Sequence, residues 1–169
     1  VKVQLKEINQ VVEALKKPEI EILRLRHYRQ YDTYFTFEED GQGYLRYRED
    51  QFINETGETT SVRSRLTLIG LVREHRFPHR VLLSRSRYLA PAVQSLRFYR
   101  EYFKPRQEIE IEKDRLRYSI RYKDTDFYVN VDTVQKPELG CFLEIKSNTW
   151  SLKDAETKSM LVSELIALL

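Results

Sequence analysis

The stretch Arg115–Lys146, RLRYSIRYKDTDFYVNVDTVQKPELGCFLEIK, contains three segments in which apolar and polar residues alternate. Alternation with a period of two is typical of β-strands, because successive side chains of a strand point to opposite faces of a sheet. In the first segment Arg115, Arg117 and Arg121 lie on one side, and Leu, Tyr and Ile residues lie on the other. This segment therefore predicts a strand with one apolar and one strongly basic face.

The next two segments add carboxylates to the polar side. Asn130 and Asp132 alternate with valines in the second segment, and Glu144 and Lys146 alternate with Leu and Ile in the third. Three adjoining strands of this kind would present fixed charges of both signs on one surface of the sheet.

Segments in which cations alternate with apolar residues also occur in the part of the chain before this stretch. Strand-like segments are predicted near residues 1–6, 20–35, 45–48, 62–69 and 109–113. The cations on their polar sides are Lys2, Lys6, Arg24, Arg26, Arg46, Arg48, Arg63, Arg65 and Lys113. A solvated face of an antiparallel sheet normally carries mixed polar residues. The bias towards cations is therefore the unusual feature of this sequence.

Three segments have helical spacing instead. They are a helix near residues 8–17, one that starts at Pro91 and runs to residue 104, and a C-terminal helix capped by Ser151. We expect Phe98, Tyr99 and Phe103 to face the core, and Trp150 to pack against the outside of the sheet. With roughly eight strands and three helices, the natural class is α+β with an antiparallel sheet.

Length and composition fit one soluble domain spanning residues 1–169. Hydrophobic residues make up 41% of the chain and charged residues 33%, and Cys141 is the only cysteine. No apolar run approaches the roughly 20 residues that a membrane span requires, and a reducing compartment suits the lone cysteine. We expect a cytoplasmic protein without a membrane partner. The first residue is not Met, which leaves open an excised segment with flanking domains in a longer chain.

A closed or nearly closed sheet would turn the cationic sides inward and the apolar sides outward against the helices. Enclosed like charges repel strongly, so such an interior calls for a polyanion. Guanidinium forks bind phosphate oxygens bidentately, which points to a triphosphate-containing small molecule. The alternative is an open, solvated sheet whose surface ion pairs are worth under about 1 kcal/mol each.

Several pieces of the sequence support the first interpretation by their order. They are an opening strand and helix, QYDTYF at 30–35, LRYRE at 45–49, EKDR at 112–115, NVD at 130–132, FLEIK at 142–146 and a terminal helix. Together they resemble the CYTH family, or triphosphate tunnel metalloenzymes, which includes class IV adenylyl cyclases and thiamine and inorganic triphosphatases. The resemblance implies an α+β fold with a closed or nearly closed eight-stranded antiparallel β-barrel and flanking helices.

The resemblance also implies functional residues. By position, Lys6, Arg46, Arg48, Lys113 and Arg115 match the family's phosphate-binding cations. The remaining candidates for phosphate binding, taken from the cationic rows, are Arg24, Arg26, Arg63, Arg65, Arg117 and Lys146. Asp132 and Glu144 match family carboxylates that bind divalent metal, and they are the candidate catalytic and metal-binding residues.

The sequence departs from the family at its metal-binding motifs. Lys2 and Gln4 replace two glutamates of the opening ExExK motif, and Lys146 replaces a glutamate of the closing ExE motif. Divalent cations need hard anionic oxygen ligands. We therefore expect a weakened Mg²⁺ or Mn²⁺ site, and weakened or absent metal-dependent hydrolysis of the bound phosphate.

Two other functions remain open. An active Mg²⁺- or Mn²⁺-dependent triphosphate phosphohydrolase would need replacement ligands, for which Glu49, Asp124 and Asp126 are candidates. The arginines and aromatic residues of segments 24–34 and 85–102 would suit a nucleic-acid or protein-interaction module. Aromatic residues at helical spacing are more often core residues, so nucleic acid is not the expected partner.

Overall fold

The computed structural model describes residues 1–37, 43–69, 81 and 87–169, and these form eight strands and three helices. In chain order the elements are β1 (Lys2–Leu5), α1 (Ile8–Ala14), β2 (Glu21–Thr36), β3 (Tyr44–Ile53), β4 (Thr59–Ile69), β5 (Arg87–Pro91), α2 (Leu96–Phe103), β6 (Gln107–Tyr122), β7 (Thr125–Lys136), β8 (Gly140–Lys146) and α3 (Leu152–Leu168).

All eight strands belong to one antiparallel sheet in the order β1-β8-β7-β6-β2-β3-β4-β5. Among the described residues no ladder joins the edge strands β1 and β5, so hydrogen bonds do not close the sheet. The predicted α+β class is confirmed, and the barrel has the nearly closed form. Register shifts interrupt β2 between Ile22 and Arg24 and β6 between Glu112 and Lys113, and such bulges bend the long central strands.

The three helices cover the apolar face of the sheet. Leu15 of α1 and Leu165 of α3 are fully buried in a cluster with Val129 and other residues of β6, β7 and β8. On the other half of the sheet, Tyr99 of α2 packs its ring 5.8 Å from that of Tyr47 on β3. The apolar side chains predicted from the alternation therefore do turn outward, towards the helices.

The opposite, polar face is buried as well, although none of the described helices packs on it. Asp50, Asn130 and Asp132 lie on this face and are completely inaccessible to solvent. A flat sheet would leave these residues in water, so the sheet must curl around them. The burial contradicts the open, solvated-sheet alternative.

The turn between β6 and β7 is the tightest in the sheet. Its two residues, Lys123 and Asp124, have φ angles of 46° and 56°. Two successive positive φ values are the signature of the two-residue hairpin turn whose twist matches the flanking strands. This turn fixes the register of the two strands that carry Lys113, Arg115, Arg117 and Asp132.

Three local predictions are wrong. Pro91 ends β5, where it pairs with Arg65, and α2 begins only after Ser95, whose hydroxyl oxygen accepts a hydrogen bond from the backbone N–H of Phe98. With this later start Tyr99 points inward, and Phe98 is 45% exposed. Trp150 precedes α3 and is 87% exposed, so it does not pack on the sheet.

In the described part of the chain, none of the helices is long and apolar enough to cross a bilayer. The ambiguous sequence around residues 72–80 and Arg85 of the arginine and aromatic segment lie outside the described residues.

The packing of α3 predicts a large difference between two substitutions on that helix. Leu165→Ala leaves a cavity in the buried cluster, and we expect it to lower the free energy of unfolding by about 2–5 kcal/mol. Met160 is exposed on the same helix, so Met160→Ala should change it by less than about 0.5 kcal/mol. Urea denaturation followed by circular dichroism measures both values, and equal effects would contradict the packing of α3 described here.

Candidate functional site

Strand register brings the predicted cations together on the enclosed face. Residues opposite one another on neighbouring strands share a face of the sheet, and the register pairs Asp32 with Arg48, Arg48 with Arg65, and Arg115 with Asp132. We call this surface the basic face and define it by the charged residues Arg24, Arg26, Asp32, Arg46, Arg48, Asp50, Arg63, Arg65, Lys113, Arg115, Arg117, Asp132, Glu144 and Lys146. The register also places Lys2, Arg121 and Asp126 at the margins of this face, where they are exposed. Lys6 is exposed and follows the end of β1, outside the strand ladder.

Two bidentate ion pairs occupy the middle of the basic face. The Nε and Nη2 atoms of Arg48 donate to the two carboxylate oxygens of Asp32, both at 2.5 Å. Arg115 donates in the same way to Asp132, at 2.5 and 2.6 Å. Burial by itself would raise the pKa of Asp32, but the hydrogen bonds and charge of Arg48 hold this pKa below its usual value. Asp32 and Arg48 therefore stay charged inside the sheet.

Lys113 lies between these two pairs. Its ammonium nitrogen is 3.8 Å from Asp32 Oδ2 and 3.6 Å from Asp132 Oδ2. Burial lowers the pKa of Lys113 to about 7, and repulsion by Arg115 and Arg48 adds to the effect, outweighing the two carboxylates. Near neutral pH, a further charge that enters the interior would therefore change the protonation of Lys113.

A third carboxylate, Asp50, organises the β3 and β4 side of the basic face. It accepts hydrogen bonds from Gln30 Nε2 at 2.6 Å, Arg65 Nη2 at 2.5 Å and Arg63 Nη2 at 3.2 Å. Burial nevertheless lowers the pKa of Arg65, and the positive charges of Arg63 and Arg48 oppose the help from Asp50. One carboxylate does not fully compensate this group of arginines.

The two predicted metal-binding carboxylates meet around one arginine. Glu144 Oε2 lies 3.3 Å from Arg115 Nη2, which also binds Asp132, and it accepts a hydrogen bond from Asn130 Nδ2 at 3.1 Å. Lys146 Nζ is 2.9 Å from the other oxygen of Glu144. Burial would raise the pKa of Glu144, but Lys146 and Arg115 lower it to about 2.

This donor set does not fit a divalent metal ion. Both oxygens of Asp132 and both of Glu144 already contact cationic side chains. Lys2 pairs with Glu144 in the strand register, at a position where the resemblance calls for a carboxylate. Among the residues that the structure describes, no three His, Cys, Asp or Glu side chains form a group that could hold a metal.

Several cations of the basic face lack full compensation. Within the described chain, the buried Nε atoms of Arg46 and Arg65 have no hydrogen-bond partner. Burial also lowers the pKa of Arg117, and repulsion by the charge of Arg115 lowers it further. An unpaired buried donor carries a desolvation cost of about 1–3 kcal/mol. These side chains are therefore the ones that an entering anion would stabilise most.

A surface cleft of about 550 Å³ lies at the β6–β7 turn end of the sheet, and not over the central ion pairs. Its lining residues are Arg121, Asp124, Thr125, Asp126, Tyr128, Ser147, Asn148, Trp150 and Lys158. Sequence reasoning missed this cleft because it expected Trp150 to be packed. No periodicity in the short β8–α3 connection gives the direction of that side chain.

The fold and the basic face together define a curled antiparallel sheet with an enclosed, cation-rich interior. The sequence matches no protein-family model and no curated protein. Solved structures do match: the PH1819 protein of Pyrococcus horikoshii shares 17% identity at a TM-score of 0.66, over 99% of this chain and 89% of that one. The PH1012 protein of the same organism gives 17% and 0.62, over 100% and 89%.

A third similar structure is that of a protein whose name states an activity. A "putative adenylate cyclase" from Vibrio parahaemolyticus shares 13% identity at a TM-score of 0.58, over 99% of this chain and 83% of that one. At such identities the similarity establishes the fold alone. That fold agrees with the CYTH-like architecture that the sequence motifs predicted.

The position of Lys113 predicts an unusual dependence of stability on pH. The unfolded chain keeps the Lys113 proton up to about pH 10.4, whereas the folded chain releases it near pH 7. Between these values the unfolded state binds more protons, so the free energy of unfolding should rise with pH, on the order of 1 kcal/mol per pH unit. Urea denaturation at pH 7, 8 and 9 measures this slope.

Two variants separate Lys113 from the other titrating groups. Lys113→Met removes the buried ammonium and should flatten the slope. Lys136→Met removes an exposed lysine that pairs with Glu110, and it should leave the slope unchanged. A slope in Lys113→Met equal to that of the unmodified chain would show that Lys113 is not the group responsible.

Proposed function

We propose that the basic face binds a triphosphate or polyphosphate group, of a nucleotide or of inorganic triphosphate, with weakened or absent metal-dependent hydrolysis. The observation that carries the proposal is the excess of enclosed cations. Among the described residues of the basic face, seven buried or half-buried cations, together with Lys113, whose pKa is about 7, face four carboxylates. A polyphosphate supplies several negative charges and many acceptor oxygens in one flexible chain, so it suits this excess.

The first contacts are assigned to Arg46 and Arg65. They lie on the neighbouring strands β3 and β4, and each has a buried Nε–H without a partner in the described chain. The hydrogen-bond partners of Arg46 are neutral: Thr67 Oγ1 lies 3.3 Å from Nη2, and Tyr34, whose ring is 5.9 Å from the guanidinium carbon, also bonds the guanidinium. The charge of Asp32 acts on Arg46 from a carboxylate already held by Arg48. Phosphate oxygens between the two side chains would satisfy both donors.

Arg117 extends this set along β6. Its Nε donates to Asn130 Oδ1 at 2.8 Å, and its guanidinium carbon lies 5.4 Å from the ring of Tyr28. Neither partner is an anion, which agrees with the lowered pKa of Arg117. Lys113, at the centre, would gain a proton when phosphate enters, because a nearby negative charge raises its pKa.

Arg48 and Arg115 have a different role in this proposal. The paired N–H groups on one edge of each fork are already taken by Asp32 and Asp132. Removing either arginine would leave a buried carboxylate without its partner, which typically costs 3–5 kcal/mol. We therefore assign Arg48 and Arg115 a structural role: they stabilise the interior of the sheet, and they contribute to its electrostatic potential.

The CYTH resemblance implies both phosphate binding and metal-dependent hydrolysis, and hydrolysis has the weaker support. Divalent ions promote phosphoryl transfer by neutralising charge and by activating water. Asp132 and Glu144 bind cationic side chains of the chain itself, and the described residues provide no third carboxylate beside them. Binding without turnover is therefore the function that the site supports best.

Arginine substitutions test the phosphate contacts directly. Arg46→Ala or Arg65→Ala should each weaken the binding of inorganic triphosphate about tenfold or more, since each removes a charge-assisted donor, and the double variant should abolish it. Isothermal titration calorimetry with excess EDTA measures the affinity. Arg97→Ala is the matched control, because Arg97 is exposed on α2 and pairs with Glu101. Unchanged affinity in the double variant would refute the assignment.

Restoring carboxylates tests the metal argument. The variant Lys2→Glu/Gln4→Glu/Lys146→Glu places three carboxylates around Glu144, and we expect it to bind Mn²⁺ at least tenfold more tightly than the unmodified chain. Lys2→Gln/Lys146→Gln removes the cations without adding ligands and should gain less. The unmodified chain should release phosphate from triphosphate at the buffer rate. Steady Mn²⁺-dependent release that Asp132→Asn abolishes would establish the phosphohydrolase alternative instead.

A further inference from the structure

We infer that the start of β2, residues 21–26, is a docking site for an extended polypeptide segment in which acidic residues alternate with apolar ones. Such a segment would add a strand to the sheet beside β2, and we call residues 21–26 the β2 edge. The inference is independent of the proposed function, because the phosphate contacts are assigned to Arg46, Arg65 and Arg117.

The β2 edge is paired with a neighbouring strand on one side only. β6 pairs with β2 along its whole length, whereas the pairing of β3 with β2 begins at His27, opposite Ile53. Within the described part of the chain, β6 is therefore the only strand that pairs with the β2 edge. In an antiparallel ladder, alternate residues direct their N–H and C=O groups to opposite sides of the strand. The β2 edge thus presents backbone donors and acceptors that an added strand could bind.

Apolar side chains of the β2 edge are exposed at neighbouring positions. Ile22 and Leu23 are each 42% exposed, and Leu25 is 51% exposed. The register places Ile22 beside Ile120 and Leu25 beside Tyr118, and both of these β6 residues are buried in the large apolar cluster. Apolar side chains of an added strand would pack next to Ile22 and Leu25, and they would extend that cluster.

The polar side of the β2 edge favours acidic partners. Arg24 and Arg26 lie opposite Ser119 and Arg117 of β6, and neither arginine has a carboxylate partner among the described residues. The nearest polar contact of Arg26 is the hydroxyl oxygen of Tyr28, at 3.5 Å. An acidic side chain opposite either arginine would form a cross-strand ion pair, whereas a basic one would be repelled. Acidic residues at every second position, alternating with apolar ones, therefore match both faces of the β2 edge.

A second copy of this chain fits the β2 edge less well. Two copies would pair antiparallel about a two-fold axis, and this arrangement brings Arg24 of one copy close to Arg24 of the other. Like charges at neighbouring cross-strand positions are destabilising. Glu21 is the only carboxylate of the β2 edge, and it already lies 3.9 Å from Arg121 of its own chain. The partner is therefore a different polypeptide.

The affinity for a defined peptide tests the charge argument. Fluorescence anisotropy measures the binding of a fluorescein-labelled peptide of alternating Glu and Val residues to the unmodified chain. We expect Arg24→Glu to weaken this binding about tenfold or more, because it places a carboxylate beside the acidic residues of the peptide. Arg29→Glu is the matched control and should leave the affinity unchanged, since Arg29 is exposed on the same strand but lies where β2 pairs with β3, opposite Gln51. A peptide of alternating Lys and Val should not bind.

Hydrogen exchange distinguishes strand addition from attraction of the peptide to the basic face. Bound peptide should slow the exchange of backbone amides in residues 21–26 about tenfold or more, because an added strand hydrogen-bonds them. The same peptide with an N-methyl group on every residue cannot donate these hydrogen bonds, and it should bind about tenfold or more weakly.

Four results would overturn the inference and leave the proposed function standing. They are no binding of the Glu-Val peptide to the unmodified chain, binding that does not slow exchange in residues 21–26, equal affinity for the N-methylated peptide, and equal weakening by Arg24→Glu and Arg29→Glu. A dimer in sedimentation equilibrium whose formation protects the amides of residues 21–26 would assign the β2 edge to a second copy instead.

Discussion

The structure depends on one constraint: the cations enclosed by the sheet need compensating charges close to them. A charge taken out of water must be compensated nearby, because its interaction with other charges strengthens as the effective dielectric falls. The sheet meets this requirement with carboxylates placed on adjacent strands. Asp32 holds Arg48, Asp132 holds Arg115, and Lys113 lies between the two pairs. The antiparallel register that brings these side chains opposite one another is therefore also what permits the sheet to curl.

Compensation is uneven across the basic face, and under the proposed function this unevenness separates structural from ligand-binding roles. The central arginines have bidentate carboxylate partners. Arg46, Arg65 and Arg117 instead have neutral, shared or missing partners for their N–H groups. A ligand that bound at the centre would have to break strong internal ion pairs. One that bound along the under-compensated arginines would satisfy buried donors without that cost.

Alternation in the sequence was sufficient to predict which side turns inward in the strands that carry the basic face, because side-chain direction in a strand has a period of two. It did not predict β5 (Arg87–Pro91). The partners of the cations could not be predicted in the same way. Asp50 compensates Arg63 and Arg65 only because β3 and β4 pair in one particular register, which the hairpin around Gly57 sets. The start of α2 was also predicted wrongly, since a proline such as Pro91 fits the end of a strand and the start of a helix equally well. The exposure of Trp150 was not predicted either. The local sequence thus predicts which face of the sheet a side chain lies on, whereas its partner on the neighbouring strand can be known only once the register of the two strands is known.

The cations at positions where the CYTH resemblance implies glutamates lie together at one edge of the sheet. Lys2 on β1 and Lys146 on β8 both adjoin Glu144, a carboxylate that matches the pattern of the resemblance. A divalent ion held by three carboxylates adds positive charge to a phosphate site, and it also orients water. Fixed ammonium groups at the same positions supply the charge without a bound water to activate. Under the proposed function, the exchange of glutamate for lysine therefore preserves attraction for phosphate while it removes the means of hydrolysis.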